Sequence, residues 1–164
     1  ASVVLAFGNP VVVQTTIDTI SQKIQQFKAS EFRGGFMTLG KRQDHYIRDE
    51  VKPEDLRKNR RILEDILEWI FSNCVIEPCW ASLKINMKDK KELDEIIGVS
   101  FVDSALVASQ SEYVLYAEDA YLRTCVQNEP FFLTNSVWTQ VVLLWLLAYG
   151  FINYQKYSEA VNII

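Results

Sequence analysis

The sequence predicts an α/β protein of three layers, with a mainly parallel central sheet covered by helices on both faces. Three observations carry that prediction. Short β-branched or aromatic runs alternate with longer stretches of helical apolar spacing. Glycine, proline and asparagine punctuate the junctions between them. The first run, Pro10-Val-Val-Val-Gln14, follows the turn signal Gly8-Asn9-Pro10 and reads as a strand buried on both sides.

The remaining elements follow in order. Ile17, Ile20, Ile24 and Phe27 recur at helical spacing behind the cap candidates Thr15 and Thr16. Residues 31–51 break the pattern. Gly34, Gly35 and Gly40 separate Phe36-Met-Thr-Leu39 from His45-Tyr-Ile47, which predicts a small β-hairpin or loop insertion. Pro53 opens a helix in its favoured first-turn position, with Leu56, Leu63, Ile66, Leu67 and Ile70 on the core face and Asn73 at the end. Cys74-Val-Ile-Glu-Pro78 reads as a second strand, stopped by proline.

Residues 79–97 read as helical, with the polar stretch Asn86 to Lys91 as a loop between two short helices. Beyond Gly98 a helix is expected from about Ser100 to Ser111. Tyr113-Val-Leu-Tyr116 is a third strand, and a helix follows from Asp119 to Val126. Phe131-Phe-Leu133 is expected as a short fourth strand. Ser136 is the expected cap of an apolar helix reaching Tyr149, and Tyr154 to Ile164 closes the chain as an amphipathic helix.

The 164 residues suit a single domain with one core, numbered 1–164. The first residue is not Met, so a piece of a longer protein with other domains is expected. A net charge of −4 excludes a global positive field for nucleic acid. RNA binding would need local groups, either Arg57, Lys58, Arg60 and Arg61 or Lys84, Lys88, Lys90 and Lys91. The same residues also read as solvated helix faces, since Glu54/Lys58, Arg60/Glu64 and Arg61/Asp65 have ion-pair spacing.

Cys74, Cys79, Cys125 and the single histidine, His45, match no zinc pattern, and an odd cysteine count argues against a disulfide framework. A reducing, cytoplasmic setting is the simplest expectation. The longest apolar run, Val137 to Ile152, is too short and interrupted to cross a bilayer, which takes about 20 residues, so no membrane partner is expected. His45 reads as a surface residue of the insertion. The four tryptophans read mainly as packing.

In parallel sheets ligands gather beyond the carboxyl ends of the strands. Acids in such positions are therefore candidates. Asp103 lies near the start of a helix and Asp119 follows a strand. Each also has a structural reading. Ser100-Phe-Val-Asp103 is a capping-box pattern, and Asp119 suits an N-cap favoured by the helix dipole.

The segments Phe101-Val-Asp-Ser-Ala-Leu-Val-Ala108 and Val114-Leu-Tyr-Ala-Glu-Asp-Ala-Tyr-Leu-Arg123 resemble the C-terminal half of a PIN domain. In that family an Asp opens a helix of small and apolar residues, a strand comes next, and a second acid follows in a pattern like Leu-x-Thr-x-Asp-x-x-Leu. Asp103 and Asp119 match these acids, with Leu122 and Arg123 in the expected places and Ala117 where Thr or Ser is common. Ser136-Val-Trp-Thr-Gln140, Gly150-Phe-Ile152 and Tyr157-Ser-Glu-Ala-Val161 are similar to the ending of a PIN subfamily. That subfamily occurs in large bacterial proteins that also carry TPR repeats and a Gre-factor-like region.

The resemblance implies a metal-dependent nuclease acting on single-stranded RNA. Hard carboxylate oxygens suit Mg²⁺ or Mn²⁺, which neutralise phosphate charge and activate water. Asp103 and Asp119 would be ligands and catalytic residues, with Glu118 able to substitute or orient water. The family also carries an acid at the end of its first strand; none precedes Asp18 here, so that ligand is either absent or upstream of residue 1. Its next acid begins a helix, and the register of Thr16-Ile-Asp-Thr-Ile20 places Thr19 there. Asp18 lies one residue earlier, about 100° away around a helix. These departures support the alternative of a degenerate PIN domain that binds RNA or protein without cutting. A doubly wound scaffold without nuclease ancestry is the third reading.

Overall fold

The computed structural model describes residues 9–42, 45–110, 113–130, 132 and 134–162. It shows a mixed α/β protein with seven α-helices among the described residues. The chain divides into two compact units. One joins the residues up to Thr15 with those from Val75 onward, and the other is Thr16–Cys74.

In the first unit, strand β1 (Val11–Val13) pairs in parallel with β4 (Val75–Glu77), Val12 opposite Ile76. Strand β5 (Leu115–Tyr116) pairs in parallel with β6 (Ser136–Val137), and Leu115 and Ala117 extend the ladder by donating to Asn135 and Val137. A single continuous sheet was the expectation. Among the described residues the ladders are instead separate two-stranded pieces, with strands of two or three residues.

Helix α4 (Val99–Ala108) is the centre of this unit, in contact with β1, β5, helix α3 (Met87–Ile97) and the 3₁₀ turn Trp80–Lys84. Its sequence is apolar on nearly every face, so it must be surrounded. Val102, Ala105, Leu106 and Ala108 are buried with Leu93, Leu115, Val126 and Phe132 in one core.

Gly98 joins α3 to α4 at φ 90°, a left-handed backbone that a side chain would strain although the space around it is open. The capping-box reading of Ser100 fails for a local reason. The helix begins at Val99, one residue early, and Ser100 Oγ donates to the Thr15 carbonyl at 3.2 Å instead. Asp103 thereby falls in the second turn.

Asn86 caps α3 by accepting from Lys88, so the polar stretch Met87–Lys91 opens a helix rather than forming a loop. Helix α5 (Ala120–Asn128) follows β5. The expected strand at 131–133 lies largely outside the described residues, with only Phe132 described; among the described residues β5 pairs with Ser136–Val137. Ser136 is thus a strand residue. Helix α6 (Thr139–Ala148) begins beyond it, and α7 (Tyr154–Val161) packs against α6.

The second unit contains most of helix α1 (Gln14–Phe32), the antiparallel pair β2 (Phe36–Arg42) and β3 (His45–Val51), and helix α2 (Pro53–Asn73). The hairpin expected at 31–51 is therefore present. Gly35 at its base has φ 94°, and a Cβ there would lie 2.4 Å from the Val51 carbonyl oxygen, so only glycine fits. Arg60 ties the helices together. Its Nε donates to Glu31 of α1 at 2.7 Å and its Nη1 to Glu64 at 2.8 Å.

Trp69 and Trp80 do not behave as core residues, whereas Trp138 and Trp145 pack against neighbours. Trp69 is 53% and Trp80 69% exposed, while Trp145 stacks on Tyr149 and Phe151. The three cysteines are free thiols. Among the described residues no helix is long and apolar enough to cross a membrane.

Candidate functional site

At the end of β5 the chain turns through Ala117, Glu118 and Asp119 into α5. Arg123 of α5 braces that turn, donating from Nη1 to the carbonyls of Ala117 and Glu118 at 2.8 and 2.7 Å while its guanidinium lies over the Trp138 ring. Asp119 is the N-cap of α5. Its Oδ1 accepts from the amides of Tyr121 at 2.7 Å and Leu122 at 3.3 Å, meeting donors that a helix start leaves open.

Glu118, the neighbour, reaches a different helix. Its Oε1 accepts from the Thr139 amide at 2.9 Å at the start of α6, and from the hydroxyls of Thr139 and Tyr116. The Thr139 hydroxyl, then that of Tyr116 and the Thr139 amide, hold the Glu118 carboxyl below its ordinary range. Burial, and then the bond to Glu118, push the Tyr116 phenol up. Tyr116 and Thr139 carry no signal in the sequence that would have paired them with this acid.

Asp103 is 4% exposed, the buried charged residue of the core. Its Oδ1 lies 3.2 Å from Lys90 Nζ. The contact is an ion pair, and beyond it the buried Oδ1 has no hydrogen-bond partner among the described residues. Lys90 also donates to both oxygens of Asp94, at 2.9 and 3.1 Å. Burial works to lower the Lys90 pKa, but the contacts with Asp94 and Asp103 outweigh it and the net shift is upward. Burial, and then the charge of Asp103, push the Cys79 thiol up.

In the sequence Lys90 reads as part of a solvated or RNA-facing group, and Asp94 is not among the candidate acids. The i,i+4 spacing of Lys90 and Asp94 was the available signal. Glu77, at the end of β4, was also passed over, and its Oε1 accepts from the Tyr113 hydroxyl at 3.0 Å.

The structure thus brings Glu118 and Asp119 to one turn, commits each to a different helix start, and gives Asp103 a lysine. Asp18 is exposed on α1 in the Thr16–Cys74 unit, with Thr19 beside it. Among the described residues no three of His, Cys, Asp and Glu converge in a way that could hold a metal ion. A divalent ion shared by Asp103 and Asp119 does not fit this arrangement of donors. One carboxylate is neutralised by an ammonium and the other spends an oxygen on backbone amides.

No curated protein and no solved structure matches the chain. The family model described as the PIN domain associated with the TPR-GreAB-C-PIN system matches residues 1–127, a span that takes in Asp103, the β5 turn and Asp119. The chain belongs to that family of PIN domains.

Proposed function

We propose that this PIN domain works by binding rather than cutting, and that its partner is protein, in the other parts of the system its family description names. The observation that carries the reading is the Lys90 ammonium 3.2 Å from the buried Asp103 carboxylate. A carboxylate that holds a divalent ion needs its charge for that ion, and here a lysine of the same chain balances it. The N-cap role of Asp119 and the presence of Thr19 where the family carries an acid support the same conclusion.

Protein is favoured over RNA by charge and by exposed apolar surface. Net charge is −4, and Arg60, Lys90 and Arg123 are engaged within the fold. Helix α6 is apolar beyond Thr139 and Gln140, yet Leu144 is 47% exposed and Tyr149, after its end, 69%. A three-layer arrangement, with the parallel pairs as parts of one sheet, and a cytoplasmic setting belong to this proposal.

A second reading is metal-dependent hydrolysis of RNA phosphodiesters, with Asp103, Asp119, Asp18 and Glu118 as ligands to Mg²⁺ or Mn²⁺. The lack of any partner beyond Lys90 for the buried Asp103 Oδ1 among the described residues favours it.

The two are separated by measuring Mn²⁺-dependent cleavage of single-stranded RNA by the full-length protein and its Asp103→Asn and Asp119→Asn variants. The expected result is no metal-dependent cleavage by any of them. Cleavage that both substitutions abolish would establish the enzyme and end the binding-only reading.

A further inference from the structure

We propose that Lys90 is the resident cation of a two-aspartate site, its ammonium standing where Asp94 and Asp103 would otherwise hold a divalent ion. The inference deepens the binding-only reading and rests on it.

The site is built by the α3–α4 corner. Lys90 and Asp94 are one turn apart on α3, and Gly98 at φ 90° ends that helix and starts α4, which carries Asp103. Carboxylates from both helices lie within 3.2 Å of one nitrogen. Leu93, next to Asp94, and Val102, next to Asp103, belong to the buried core. Lys90 donates to both oxygens of Asp94 and stands 3.2 Å from Asp103 Oδ1, so one ammonium bridges the two carboxylates. Divalent ions bind oxygen at about 2.0–2.6 Å, so a modest contraction of the same two side chains would close on one.

The test compares the wild-type protein with Lys90→Met, in which the ammonium is replaced by an apolar chain of similar length. Mn²⁺ uptake is read by electron paramagnetic resonance and stability by thermal melting. Wild-type protein should take up no Mn²⁺ through Asp103, and its Tm should not respond to the ion. Lys90→Met should melt roughly 5–15 °C lower, because it strands a buried charge. It should then bind one Mn²⁺ per chain and regain most of the loss. Adding Asp94→Asn or Asp103→Asn to Lys90→Met should remove the uptake.

Where Lys90→Met fails to fold, it is produced with and without Mn²⁺. Folded protein only with the ion supports the proposal, and equal yields, or no recovery either way, overturn it. The proposal also falls if soluble Lys90→Met binds no Mn²⁺, or if wild-type protein binds it and Asp103→Asn abolishes that. RNA cleavage by the wild-type protein is a separate result, which removes the underlying reading instead.

Discussion

Asp103, Glu118 and Asp119 share a chemical group and differ in what surrounds it. Asp103 is buried beside an ammonium, Asp119 closes a helix start, and Glu118 collects two hydroxyls and an amide. The Glu118 contacts favour its ionised form, so its folded pKa is depressed relative to the unfolded chain. The sign follows from linkage. The stabilisation is fully present above the unfolded value, about 4.3 for a glutamate, and is lost as pH falls through the folded pKa. Glu118→Gln should therefore flatten part of the acid limb when unfolding midpoints in urea are measured between about pH 3 and pH 7. Identical acid limbs in the two proteins would show that Glu118 does not anchor α6.

Elements differ in how much of their place is written locally. Helix α2 starts at Pro53 and ends at Asn73 as its punctuation predicts, and Gly98 marks the α3–α4 corner. Strand β6 is different. Its two residues are strand only because β5 lies alongside, and no periodicity can develop over so short a ladder. The apolar Phe131-Phe-Leu133 is the more strand-like local signal, and of it only Phe132 is described, as a buried core residue. The β2–β3 hairpin is locally legible through its glycines, but it has little buried surface. Leu39 and Tyr46 are 70% and 78% exposed, one on each strand. Phe36 and Val51 face each other at its base. Replacing residues 37–50 by Asn-Gly should therefore leave Tm within about 3 °C, because a solvated two-stranded ribbon contributes little to stability. A larger drop on thermal melting by circular dichroism would mean that the ribbon supports the fold.

At the scale of the whole molecule, charge was the most direct reading of function. A chain of net charge −4 in which Arg60, Lys90 and Arg123 are engaged within the fold presents no global positive field to a phosphate backbone. At physiological salt, fluorescence anisotropy with a labelled single-stranded RNA should show no saturable binding below about 0.1 mM. Tight binding that weakens steeply with salt would return RNA to the list of partners.

Composition, punctuation and the spacing around Asp103 and Asp119 were enough by themselves to indicate an α/β chain with helices in these places, and to reach the PIN family from residues 98–161. Those features are local, since they depend on propensity and on neighbours within a few turns. Whether an acid is free to hold a metal is not local. It depends on which side chain from another element arrives beside it, and Lys90 reaches Asp103 only because the backbone reverses at Gly98 and packs α3 against α4. Helix periodicity places Lys90 and Asp94 on one face; only the tertiary structure adds the buried Asp103 as the third charge.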